Sequence, residues 1–237
     1  MGKIVAIGGC DLLDKDSVPI VQYILSITCA AVPRVLFLPT ASFDIEDDMP
    51  LLDKRFGEYG CKFDSLYLTD KALTYGDIEK KIMNADIIYA GGGNLKFLCD
   101  VWKSTGADKL MKKAYESGIT LAGSSSGGMC WFESGYDDCG ENGAYMFVEC
   151  VGLLPYCMCP HFENPGWRSF NEAVNTQPLS GIGIDNDTAL SYVDGVFGVV
   201  KADPENSAYL FNKDEAYRKY DLAVMPNPLS SQAQKNS

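Results

Sequence analysis

The run Leu121-Ala122-Gly123-Ser124-Ser125-Ser126-Gly127-Gly128-Met129 restricts the fold more than any other part of the chain. It holds one G-x-S-x-G match, with Ser125 at its centre. The preceding Gly118-Ile119-Thr120-Leu121-Ala122 is short, apolar and β-branched, as a buried parallel strand should be, and Met129-Cys130-Trp131-Phe132 reads as an apolar helical continuation. A strand that turns sharply into a helix needs small residues at the turn, and the central residue is then held out into a cleft. The plainer alternative is a loop of small residues that lets a helix pack closely on a sheet, so the decision rests on the rest of the chain.

Strand and helix patterns alternate on both sides of this point. Lys3 to Ile7 is a continuous apolar run closed by Gly8-Gly9, Val18 to Ala30 has helical spacing, and Arg34 to Leu38 is a second strand stopped by Pro39. Met49 to Gly60 reads as a helix, Lys62 to Leu68 as a strand, and Asp86 to Ala90 as a strand leading into Gly91-Gly92-Gly93-Asn94 and a helix from Leu95 to Trp102. A helix from Ala107 to Ser117 precedes the central elbow, and Gly135 to Gly143 reads as a polar surface loop. A helix is expected from Trp167, and short strands at 182–185, 189–192 and 196–200. This order predicts an α/β fold: a three-layer sandwich around a mostly parallel central sheet. One domain over residues 1–225 is expected, with a polar, proline-containing and disordered tail at 226–237.

Composition narrows the partners. A formal net charge of −12 argues against nucleic acid and anionic membrane, both of which require a basic face. No apolar run approaches the roughly 20 residues of a membrane span, and the amino terminus lacks the sections of a signal peptide, so a soluble cytoplasmic protein is expected. The nine cysteines are odd in number and scattered, and Cys29, Cys61, Cys99 and Cys130 read as buried hydrophobes in a reducing compartment. Cys157-Met158-Cys159 lacks zinc spacing, and no metal is expected. The glycine run lacks the spacing of a dinucleotide fingerprint and the lysine of a P-loop, so no nucleotide cofactor is expected either. Its freed N–H groups suit a phosphate or a tetrahedral oxyanion.

His161 is the sole histidine. A serine hydroxyl needs an adjacent base at neutral pH, so a histidine-activated Ser125 can only use His161. An acid should orient the imidazole; Asp185, at a strand end, is the choice, with Asn186 and Asp187 as close rivals. An asparagine would orient the ring but stabilise its charge less well. The oxyanion donors would be the N–H of Ser126 and one from the glycine run, Gly92. Serine, histidine, acid is not the chain order of α/β-hydrolases.

Four segments carry a resemblance. Tyr-Ala-Gly-Gly-Gly-Asn at 89–94, Ala-Gly-Ser-Ser-Ser-Gly-Gly-Met-Cys-Trp-Phe-Glu at 122–133, Cys-Pro-His-Phe at 159–162 and Gly-Ile-Asp-Asn-Asp-Thr-Ala-Leu at 183–190 resemble, in order, the peptidase E family of aspartyl dipeptidases. That family is related to cyanophycinases and has a class I glutamine amidotransferase-like fold. Where the family usually has Ser-Ala-Gly-Ala, this chain has Ser125-Ser126-Gly127-Gly128. The resemblance implies a metal-free serine exopeptidase or dipeptidase acting on short peptides, often with amino-terminal aspartate; a monomer or homodimer is expected. Asn94 and Arg168 are the residues assigned to substrate binding, Arg168 as the one cation in the loop and helix just after His161. Two rivals remain: a catalytically silent module that holds an acidic metabolite on the same fold, and an amidase or transferase using Cys130.

Overall fold

The computed structural model describes residues 2–10, 17–45 and 49–223; the tail expected to be disordered lies outside them. Five strands build the parallel part of the first sheet: β1 (Lys3–Ile7), β2 (Arg34–Leu38), β3 (Lys62–Ser65), β4 (Ile87–Ala90) and β5 (Thr120–Ser124). β1 pairs with β5, β5 with β4, β4 with β2 and β2 with β3, all parallel. Each of β1, β2, β4 and β5 is a near-continuous apolar run because both faces are covered.

Side chains alternate between those faces. Val5, Ile7, Val35, Phe37, Ile87 and Tyr89 meet α1 (Val18–Ile27) and α2 (Met49–Glu58) through Ile20, Ile24 and Phe56. Ile4, Ala6, Leu36, Leu38, Ile88 and Leu121 meet α3 (Tyr75–Met83), α4 (Leu95–Thr105) and α5 (Ala107–Glu116) through Ile82, Leu98, Trp102 and Leu110. The expected three layers follow from this alternation. α3 begins at a capping box in which Thr74 and Asp77 each accept from the other's backbone N–H.

A short helix, α6 (Ser126–Met129), follows β5. The apolar run after it is not helical: Phe132 opens β6 (Phe132–Asp137), so residues 135–137, read from sequence as loop, are strand. β6 belongs to a second sheet with β7 (Met146–Glu149), β8 (Leu154–Cys159) and β9 (Gly181–Ile184). In it β6, β8 and β9 run parallel. The helix expected from Trp167 is present as one unbroken helical run: a 3₁₀ turn (Trp167–Ser169), α7 (Phe170–Ala173) and a second 3₁₀ turn (Val174–Thr176), with right-handed dihedrals at each junction. β10 (Thr188–Val193) returns to the first sheet antiparallel to β1, and β11 (Val196–Lys201) pairs with it. β12 (Ala208–Asn212) and β13 (Arg218–Asp221) complete the second sheet beside β9. The two sheets share one core, since Leu121, Met158, Ile182, Ile184 and Leu210 lie in a single apolar cluster.

Candidate active site

The carboxyl ends of the parallel strands converge on one place. Ile7 of β1 lies beside Ser124 of β5, and Gly123 of β5 beside Ala90 of β4, so Gly8-Gly9, the elbow and the Gly91-Gly92-Gly93 loop emerge side by side. Ligand sites of open α/β sheets form at such ends.

Ser125 has φ 55° and ψ −120°, a conformation that costs an L-residue roughly 1–3 kcal/mol and persists only where its surroundings impose it. Those surroundings are evident. The Ser125 N–H donates to the carbonyl of Ile7, and the Ser125 carbonyl accepts from Gly128 and Met129. A Cβ at Gly127 would stand 2.0 Å from the Ala90 carbonyl oxygen, so only glycine lets α6 start this close to β4.

The second sheet supplies the partners. His161 lies just beyond β8, its own N–H donating to the Gly8 carbonyl, and Asn186 just beyond β9. His161 Nε2 lies 2.9 Å from Ser125 Oγ, and His161 Nδ1 lies 2.6 Å from Asn186 Oδ1. The amide oxygen can only accept, which places the ring proton on Nδ1 and leaves Nε2 to accept from the serine hydroxyl. A methyl group at Gly9 would come within 2.1 Å of Asn186 Oδ1 and 2.3 Å of His161 Nδ1, so the chain passes directly over that bond. The ring of Trp167 packs 5.2 Å from that of His161.

Of the residues expected in the site, Ser125 and His161 are bonded, but Asp185 is not the imidazole's partner. Its carboxylate is buried and accepts from the Ser207 N–H at 2.9 Å. Burial raises its pKa, opposed by Ser207, the Tyr209 hydroxyl, Lys219 and Arg168. Successive residues near a strand end point to opposite sides, and the side facing His161 belongs to Asn186. Asp187 has φ 51°, and its N–H donates to the Gly9 carbonyl. Gly92 lies against Ser125, where an added Cβ would stand 3.3 Å from the serine Cβ, and Ser126 opens α6, whose first N–H groups have no acceptor within a helix. Asn94 is the N-cap of α4, its side chain accepting from the Phe97 N–H at 2.8 Å. Arg168 is exposed and donates to the carbonyl of Glu163.

Two features escaped the sequence reading. Asp137, buried at the end of β6, accepts from the Leu95 N–H at 3.0 Å and lies 3.4 Å from the Ser126 hydroxyl, which donates to the Gly93 carbonyl at 2.6 Å and so ties the glycine loop to the elbow. Burial, with Asp138 alongside, pushes its carboxyl up to about 7. Glu163 accepts from the Asn186 N–H at 2.9 Å. Neither carries a motif; a buried acid in a polar stretch looks like any surface acid. Cys130 is fully buried and its thiol is pushed well above 9.0, which makes it an inert core residue rather than a nucleophile. Cys29 is exposed and Cys61 half-buried, unlike the buried positions expected.

Hydroxyl, imidazole and amide thus stand in line at a strained elbow, on a three-layer α/β frame. A sequence model of peptidase family S51 matches residues 4–200, and the chain belongs to that family. It is 30% identical over 234 residues to the uncharacterized peptidase YgaJ of Bacillus subtilis, covering 97% of this chain and 98% of the relative. It is 26% identical over 151 residues to the uncharacterized peptidase Lmo0363 of Listeria monocytogenes, covering 60% and 72%. Among solved structures, a peptidase from an acI-B1 Actinobacterium superposes with a TM-score of 0.74 at 19% identity, over 96% of each chain. A protein described as a putative peptidase E from Listeria monocytogenes superposes with a TM-score of 0.64 at 21% identity, over 85% of this chain and 98% of that one. Peptidase E-type architecture is therefore the fold of this chain. Among the described residues no helix is long and apolar enough to cross a membrane.

Proposed function

We propose that this member of a peptidase family is a serine exopeptidase or dipeptidase, with Ser125 as nucleophile, His161 as base and Asn186 as the group that orients the ring. The observation that carries the reading is the unbroken relay Ser125 Oγ, His161 Nε2, His161 Nδ1, Asn186 Oδ1, with separations of 2.9 and 2.6 Å. In the first step the Ser125 proton passes to Nε2 as the Oγ–C bond forms, and the imidazolium then returns it to the leaving amine. The tetrahedral oxyanion would accept from the N–H groups of Gly92 and Ser126. Water repeats the sequence on the acyl-enzyme and frees the serine.

Short peptides with an acidic first residue are the proposed substrates. Arg168 supports this assignment because it sits next to Trp167, which packs on His161. The test has two parts. A fluorophosphonate should label Ser125, read by mass spectrometry of the tryptic peptide, and Ser125→Ala should abolish turnover in a dipeptide panel that compares Asp-Leu with Ala-Leu. Labelling at Ser124 or Ser126, or turnover by Ser125→Ala, would remove Ser125 as the nucleophile. Equal kcat/KM for the two peptides would remove the acidic preference alone.

A further inference from the structure

The relay ends on a neutral group. A carboxylate facing Nδ1 would stabilise the imidazolium formed when Nε2 takes the serine proton, whereas an amide oxygen supplies only a dipole. Neither acid beside Asn186 in sequence is bonded to Nδ1: Asp185 accepts from the Ser207 N–H through Oδ2, and Asp187 contributes its backbone N–H to the Gly9 carbonyl. A third acid is placed differently. Glu163, two residues after His161, accepts at 2.9 Å from the backbone N–H of Asn186, the same residue whose side chain accepts from the imidazole. The Asn186 carbonyl is fixed as well, accepting from the Asn206 side-chain amide at 2.9 Å. Asn186 is therefore clamped at both ends of its backbone, and one clamp is a half-buried carboxylate. Of the cations near this loop, Arg168 is engaged with the Glu163 backbone carbonyl and is exposed.

We propose that Glu163 is a positioning residue that also furnishes, from one residue away, the negative charge that Asn186 lacks. The proposal rests on the serine mechanism above. When Ser125 Oγ attacks, its proton moves to Nε2 and the new positive charge spreads over a ring whose Nδ1–H points at Asn186. The Glu163 carboxylate behind that residue favours the charged ring. The division of labour differs from that of an aspartate, which does both jobs with one group.

The test needs no knowledge of the natural substrate. The second-order rate of phosphonylation by a simple alkyl fluorophosphonate measures how readily His161 takes the proton as the Oγ–P bond forms and fluoride leaves. Glu163→Gln keeps an acceptor for the Asn186 N–H and removes only the charge; it should slow labelling about 10-fold or more. Adding Asn186→Asp to that variant should restore the rate to within about 3-fold of wild type, because the charge is then supplied directly. Asn186→Asp alone, a variant that leaves Glu163 intact, should gain less than about 3-fold. Glu163→Gln at wild-type rate, or a loss that Asn186→Asp does not recover, would overturn the proposal. So would a gain above about 30-fold from Asn186→Asp alone, since that means no charge was being supplied. Absence of wild-type labelling at Ser125 would instead remove the serine mechanism, and the inference with it.

Discussion

Asp137 links protonation to folding in a way that can be measured without any substrate. Its carboxyl is 2% exposed and titrates at about 7, against 3.8 for an unburied aspartate. Between those two pH values the folded chain holds a proton that the unfolded chain has released, so stability falls as pH rises from about 4 to about 7 and is level above that. Each pH unit in this window is worth up to about 1.4 kcal/mol, and the whole shift amounts to roughly 4 kcal/mol. The perturbation is Asp137→Asn, which stays neutral at every pH and keeps an oxygen for the Leu95 N–H. The stability of Asp137→Asn minus that of wild type should therefore rise by about 3 kcal/mol between pH 5 and pH 8, because the other titrating groups cancel in the difference. With a urea slope of about 3 kcal/mol per molar, the midpoints should separate by about 1 M over that range. Urea unfolding followed by tryptophan fluorescence at several pH values checks this; Trp102 and Trp131 are both buried. A difference flat from pH 5 to 8 would refute the reasoning, showing that Asp137 is ionised in the folded protein or that Asp138 takes up the proton instead.

The remaining predictions concern the relay. Gly9→Ala drives a methyl group into the bond between His161 and Asn186, and a displacement of about 1 Å there should cost on the order of 100-fold in fluorophosphonate labelling while the circular dichroism spectrum is retained; a rate within 3-fold of wild type would show that the loop gives way. Asp185→Asn should change labelling by less than about 3-fold, because its carboxylate bonds Ser207, whereas Asn186→Ala should lose about 100-fold or more. The reverse ranking would return the orienting role to Asp185.

Where the sequence carried a periodic or compositional signal, it was legible. β1, β2, β4 and β5 stood out because a doubly covered strand must be apolar at every position, and the elbow because only small residues allow that turn. Sequence order and a single histidine were enough to pair Ser125 with His161. The third partner was missed by one residue, since nothing local says where β9 ends, and a shift of one reverses the direction of a side chain. Met129 to Phe132 looked helical because a short apolar run fits either state; the helix ends at Met129, and pairing of β6 with β8 makes the chain strand from Phe132. Asp137 was read as surface because it is polar, whereas its burial follows from bonds to Leu95 and Ser126, which are distant in sequence. β12 and β13 carry mixed patterns whose strand state comes from pairing at the edge of the second sheet.

The split origin of the relay has a consequence for the timing of synthesis. Ser125 belongs to the first sheet and precedes His161 by 36 residues, and His161 in turn precedes Asn186 by 25. A ribosome-bound chain can thus complete most of the parallel sheet, elbow included, while the base is still inside the exit tunnel. The hydroxyl at that stage is an ordinary serine. The relay is complete only when the second sheet has formed up to Asn186, two residues past β9, and His161 has docked its N–H on the Gly8 carbonyl. The completed relay is in this sense a marker of assembly order: it requires the chain through Asn186, and a chain truncated before that residue lacks it.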